Sequence, residues 1–248
     1  MKKIFLYILA GSLCFTACKK DDVVDTSLNE PEDINVQNSY DNDAIKKFMN
    51  ENYLDTQGNI KAFSDTDTSD DNEKKLSDLP NETLPSGTVI ITRPTAPAGA
   101  DTPIGPKDSI RIMTNTQTYI ATNVNGTSVF GQKAAMTNYN SINETGLPIV
   151  DPKFFYIRSD DKLITSATTD AAKQKSYYMI EGFNEALQKF KSYNKSDSEG
   201  YSLQGVIIVP SRAAFARDLH YNYSGYSFRN RSFVFNFQVY KNTPRTAN

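Results

Sequence analysis

The sequence predicts an α+β domain in which a mostly antiparallel sheet wraps around one helix, and three observations lead there. Ile180, Phe183, Leu187 and Phe190 recur at helical spacing and put one apolar stripe on a helix of about three turns. Phe233, Phe235, Phe237 and Val239 alternate with Val234, Asn236, Gln238 and Tyr240, the period of a strand with one strongly apolar face and one mixed face. No βαβ unit repeats along the chain, so a parallel sheet is not expected.

The first residues read as an export signal. Lys2 and Lys3 form a short positive region, Ile4 to Phe15 an apolar run, and Thr16 and Ala17 supply small residues for processing. The run is short for a transmembrane helix. The stretch Phe15-Thr16-Ala17-Cys18 resembles the lipobox of bacterial lipoproteins, with Phe15 where an aliphatic residue is usual. That resemblance implies a signal peptide over residues 1–17 and lipid on Cys18; an ordinary signal peptide containing a cysteine is the alternative. Lys19-Lys20-Asp21-Asp22 resembles the surface-export tag of some Gram-negative lipoproteins. The implied address is the outer membrane, on its periplasmic or cell-surface face, with several acyl chains as a firm anchor.

Composition narrows the chemistry. Cys14 falls inside the signal and Cys18 is spent on lipid, so the mature domain is expected to have no disulfide, thiolate nucleophile or Cys-ligated metal. Lys plus Arg number 27 against 29 Asp plus Glu, which leaves no basic field for nucleic acid. His220 is the one histidine, no G-x-S-x-G elbow accompanies it, and a zinc site of several imidazoles is impossible. Neither metal nor cofactor is expected.

Along the chain, residues 18–85 read as a tether. Residues 19–40 are polar and acidic and suit a disordered stalk. Ala44, Ile45, Phe48, Met49 and Tyr53 then predict a short helix near 41–53, capped by Asp41 or Asp43. Residues 64–86 bunch Asp65, Asp67, Asp70, Asp71 and Glu73 like a calcium loop. The central glycine is missing, however, and Leu76 stands where the closing acid belongs, so a solvated linker is expected. The folded domain is expected over 86–243. Val89-Ile90-Ile91 forms its first strand, Asp108 to Thr122 one or two more, and Val129-Phe130 ends a short one. Lys153 to Arg158 also reads as a strand, and Leu203 to Val209 as a buried one halted by Pro210.

The order of these elements resembles the FKBP-type peptidyl-prolyl isomerases. Met179-Ile180-Glu181-Gly182-Phe183-Asn184-Glu185-Ala186-Leu187 is similar to the family's V-I-x-G-W-x-E-x-L. Ile208-Val209-Pro210-Ser211 through Phe215-Ala216 resembles its I-P-S-x-L-A-Y-G, and Phe233 to Val239 its closing L-V-F-D-V-E-L. Upstream, Asp108 to Met113 looks like the strand carrying the pocket tyrosine, and Gly126 to Phe130 like D-G-x-x-F. The likeness implies an FKBP-like antiparallel sheet around one helix, with insertions near 131–178 and 191–202.

It also implies a hydrophobic pocket lined by Met113, Phe130, Ile180, Phe183, Phe215 and Phe235. Met179 and His220 would lie against substrate, Phe183 would form the floor in place of tryptophan, and the Ile180 N–H would hold a substrate carbonyl. Such a pocket needs no acid, base or metal. Rotation about an amide faces a barrier of ~18–20 kcal/mol, and a dry apolar site favours the less conjugated, twisted state. Met113, Gly131 and Phe215 depart from the family's tyrosine, aspartate and tyrosine, which removes polar groups that orient substrate. Two readings follow: a prolyl isomerase or folding helper acting on proline-containing peptides and exported client proteins, or a weak or inactive FKBP-like module that binds a peptide or partner protein at the cell envelope. A glycan-binding surface lipoprotein is a third, resting on 14 tyrosines and the Tyr221-Asn222-Tyr223 cluster without a spacing signal.

Overall fold

A computed structural model describes residues 30–223 and 225–245; the expected signal peptide, Cys18 and the charge step after it lie outside the described residues. Helix α1 (Ile34–Glu51) comes first, followed by β1 (Asn52–Leu54), β2 (Ile60–Ala62), β3 (Asn81–Thr83) and β4 (Val89–Thr92). Then come β5 (Thr102–Pro103), β6 (Ser109–Val124), β7 (Thr127–Ala135), α2 (Ser141–Glu144), β8 (Ile149–Val150) and α3 (Lys162–Thr165). The chain continues through α4 (Glu181–Leu187), β9 (Lys191–Ser192), β10 (Gly205–Val209) and β11 (Arg231–Thr243).

The main sheet runs β3-β4-β10-β11-β6-β7, with β8 also on β6, and every pairing is antiparallel. This is the α+β class expected. The last strand sits between β10 and β6, at the centre of the sheet. β6 and β7 form a long hairpin closed by Asn125 and Gly126, whose φ angles of 52° and 85° are those a two-residue primed turn demands.

Both faces of the sheet are covered. Phe233, Phe235, Phe237 and Val239 of β11 join Ile180, Phe183, Ala186 and Leu187 in one core. Gly182 lets α4 approach closely: a Cβ there would meet Thr88 Oγ1 at 2.4 Å and Val209 Cγ1 at 2.8 Å. On the opposite face Val234, Val206, Ile208 and Ile91 pack with Ile45 and Met49 of α1. The mixed face of β11 is therefore buried as well. Asn236 donates to Gly58 O (2.9 Å) and accepts from Ile60 N–H (3.2 Å), while Gln238 accepts from Ser202 N–H (2.9 Å).

Several expectations need correction. The N-terminal helix covers 34–51 rather than 41–53. Asp33 caps it by accepting from Asn35 N–H, and Asp41 is a buried mid-helix residue rather than a cap. Residues 31–85 are not the tether expected over 18–85, because they belong to a compact unit that begins at Pro31. Within it, residues 64–86 are no free linker: Leu76 is completely buried and β3 adds an edge strand to β4. The C-terminal helix has seven residues, not three turns, since i→i+3 bonds from Lys189 and Phe190 tighten its end. Lys153 to Arg158 forms no strand. Asp151 Oδ2 takes the N–H groups of Lys153 and Phe155, both at 3.0 Å, and so diverts the backbone from a ladder.

Candidate functional site

The site is best assembled from α4 outward. Phe183, fully buried, stacks on Phe235 of β11 with centroids 4.1 Å apart and planes at 21°. Phe235 continues the stack to Phe233 at 5.9 Å. Beyond β10, the loop after Pro210 brings in Phe215, which lies parallel to Phe228 at 5.8 Å. Ile180, Phe183, Phe215 and Phe235 are thus in one core, with half-buried Met179 against it.

Met113 and Phe130 are not with them. Phe130 lies on the α1 side, stacked on Tyr119 at 4.9 Å and tilted against Phe48 at 5.8 Å. Met113 alternates with Ile112 and Thr114 along β6 and pairs in register with Gln238, and its Sδ accepts from the Ser141 hydroxyl at 3.3 Å. On β6, a one-residue offset sends a side chain through to the other face, and Ile112 is the residue that reaches the α4 core.

His220 is also placed differently from a substrate contact. Its Nδ1 faces Tyr221 O at 3.0 Å, and its Nε2 accepts from Phe228 N–H at 2.9 Å, so both ring nitrogens are engaged. The ring packs against both Phe215 (4.8 Å) and Phe228 (5.2 Å). Burial holds its pKa below the usual histidine value, which favours the neutral ring that this acceptor role requires.

The space beside Phe183, where the resemblance implies a pocket, is filled by residues of the segment 131–178. Tyr139 stands edge-on to Phe183 (6.2 Å) and Phe235 (6.0 Å), and Phe155 stands edge-on to Phe183 (6.2 Å). Phe154 meets Tyr139 at 5.1 Å, and all three rings are at most 1% exposed. The Ile180 N–H, the donor expected to hold a substrate carbonyl, donates instead to Phe154 O at 2.8 Å. Asn184 Nδ2 fixes the next carbonyl, that of Phe155, at 2.8 Å. The apolar run Phe154-Phe155-Tyr156-Ile157 was visible in the sequence, but only as a candidate strand; Tyr139 carried no local signal.

Asp151 anchors this segment from below. Burial lifts its carboxyl above the usual carboxylate range, against the bonds from Phe155 and Lys153 N–H that favour the charged form. The Tyr139 hydroxyl is driven well above its ordinary value by burial first and by the Asp151 charge second. Asp151 lies beside that hydroxyl, although neither Oδ1 nor the hydroxyl finds a partner in good hydrogen-bond geometry.

Outside this packed aromatic core is a groove of about 320 Å³. Pro152, Phe154, Leu163, Tyr221 and Tyr223 supply its apolar surface, and Thr137, Asn138 and Asn222 its polar rim. No cluster of three acid, histidine or cysteine side chains able to hold a metal occurs among the described residues. Nor is any described helix long and apolar enough to cross a membrane. No protein-family model matches the chain, and no curated protein matches it.

Proposed function

We propose that the chain is a lipid-anchored, FKBP-like module of the cell envelope whose isomerase pocket is closed by its own insertion, leaving it to bind a peptide or partner protein without turning over prolines. The central antiparallel strands around α4, in the order in which the resembling segments occur, support the FKBP-like reading. One observation carries the loss of turnover: Phe154 O occupies the Ile180 N–H that a substrate carbonyl would need. With Tyr139 and Phe155 against a fully buried Phe183, a proline ring has no room beside the pocket floor.

Lipid on Cys18 would hold the compact unit, which begins at Pro31, within about 45 Å of the membrane, since an extended chain spans at most ~3.3–3.6 Å per residue. The outer membrane is the address that the export tag suggests.

The test is cis-to-trans exchange in a short X–Pro peptide, followed with residues 19–248. The expected rate equals that of buffer. Phe215→Tyr should not raise it, because the added hydroxyl would enter a core where Phe215 is 2% exposed. A wild-type rate above buffer that disappears in Phe183→Ala would restore the isomerase reading.

A further inference from the structure

We infer that the groove outside the closed pocket is a binding site for a neutral saccharide. The inference stands apart from the loss of turnover. It uses residues on the groove's surface, not those packed around Phe183.

The first argument is charge. None of the eight residues lining the groove is an acid or a base. A charged ligand would give up water without meeting a counter-charge, whereas an uncharged one incurs no such penalty. The second is shape. Tyr221 and Tyr223 meet at 70° with centroids 4.7 Å apart, forming a corner. Phe154 backs Tyr223 at 4.1 Å and Tyr178 backs Tyr221 at 5.5 Å, so the rings are set in place before any ligand arrives. The C–H face of a pyranose packs well on such rings.

The third argument concerns which polar groups are committed. Beneath the groove they are paired: Tyr223 hydroxyl donates to Tyr178 O (3.1 Å), and Tyr178 hydroxyl lies 2.9 Å from both Leu163 O and Ala172 O. On the surface they are not. The Thr137 and Tyr221 hydroxyls and the Asn138 side-chain amide make no hydrogen bond to any described residue. Asn222 Oδ1 accepts from Gly225 N–H (2.7 Å), which leaves its Nδ2 donors uncommitted. Hydroxyls and a primary amide both donate and accept, which matches sugar hydroxyls group for group. A proline-rich segment offers carbonyl acceptors alone and would leave the Asn138 carbonyl without a donor. The volume of about 320 Å³ lies at the small end of ligand sites, suited to a few sugar units.

The chain has no tryptophan and 14 tyrosines, so binding is read by tyrosine fluorescence and by amide chemical shifts. Residues 19–248, which include the whole compact unit from Pro31, are titrated with maltohexaose, cellohexaose, laminarihexaose and decaproline. At least one hexasaccharide should shift the amides of Asn138 and residues 221–223. Tyr221→Ala, at a half-buried ring, and Asn138→Gly, which suits the left-handed backbone of that position (φ 63°), should each weaken it by about tenfold or more while the domain stays folded. The inference is overturned if no hexasaccharide binds, if binding survives both substitutions, or if decaproline occupies the groove instead.

Discussion

Asp41, in the middle of the N-terminal helix, accepts hydrogen bonds from both the backbone N–H (2.8 Å) and the hydroxyl (2.6 Å) of Ser211, 170 residues away. Gln37 Nε2 extends the link, reaching Asp41 Oδ1 (3.1 Å) and Ala121 O (3.0 Å). A helix whose first two turns fall in the stretch that composition assigns to a stalk is thereby tied to the loop that carries Phe215 and His220. Burial lifts the Asp41 carboxyl above its ordinary value, and the bonds from Ser211 and Gln37 work against that lift.

Asp41→Ala should therefore destabilise the fold by about 1.5–3 kcal/mol, because Ser211 N–H would stay buried without an acceptor. Ser211→Ala should cost less, since the backbone bond remains. Urea unfolding of both single variants and the double variant measures the coupling. Additive effects would mean that the contact contributes nothing to stability.

Burial on both faces of β11 sets a second expectation. Phe237→Asp and Gln238→Asp should both unfold the domain, as each side chain is completely buried and a carboxylate there would lose its water. Lys241→Asp, on the exposed end of the same strand, should stay within about 0.5 kcal/mol of wild type. Thermal melts decide between them, and a mild Gln238→Asp would show that the mixed face of β11 is open to water at that position.

The pH dependence of stability tests the plug. Asp151 has a folded pKa above its unfolded value of 3.8, so its favourable contribution is complete below that value and lost as pH rises through the raised folded one. At neutral pH the buried charge costs stability. Asp151→Asn keeps an oxygen for Lys153 and Phe155 N–H and removes the charge. Its melting temperature should exceed that of wild type at pH 7, with the gap closing as the solution is acidified. A gap that is constant with pH would mean that Asp151 is ionised without penalty.

The anchor has its own check. Cys18→Ala should abolish lipid labelling and release the protein from membrane fractions, because the thioether has no other attachment point in the mature chain. Continued labelling of the variant would end the lipoprotein reading.

Much of the fold was legible because its signals are local. The period of two in 233–240 and the apolar stripe through Phe183 each specify an element without reference to the rest of the chain. Other parts were hidden by composition. Gln37 and Asp41 lie on the buried face of α1, so its first turns carry no hydrophobic pattern, and Leu76 is a single core residue in a strongly acidic stretch. The residues expected to line one pocket do not all share a face: Phe130 lies on the α1 side, and Met113 alternates with the Ile112 that reaches the α4 core.

The α+β class, the helix that carries Phe183, the strand that carries Phe235 and the impossibility of a multi-histidine site can all be read from residue order alone. That the space beside Phe183 is filled by Tyr139 and Phe155 is legible only in three dimensions. The decisive contact joins the Ile180 N–H to the Phe154 carbonyl, two backbone groups that every residue but proline possesses and that leave no mark on side-chain pattern. Whether such groups face a substrate or each other depends on how a long insertion folds back, and that depends on partners remote in sequence: Asp151 holding its turn, Asn184 holding Phe155, and Tyr139 closing over the ring below.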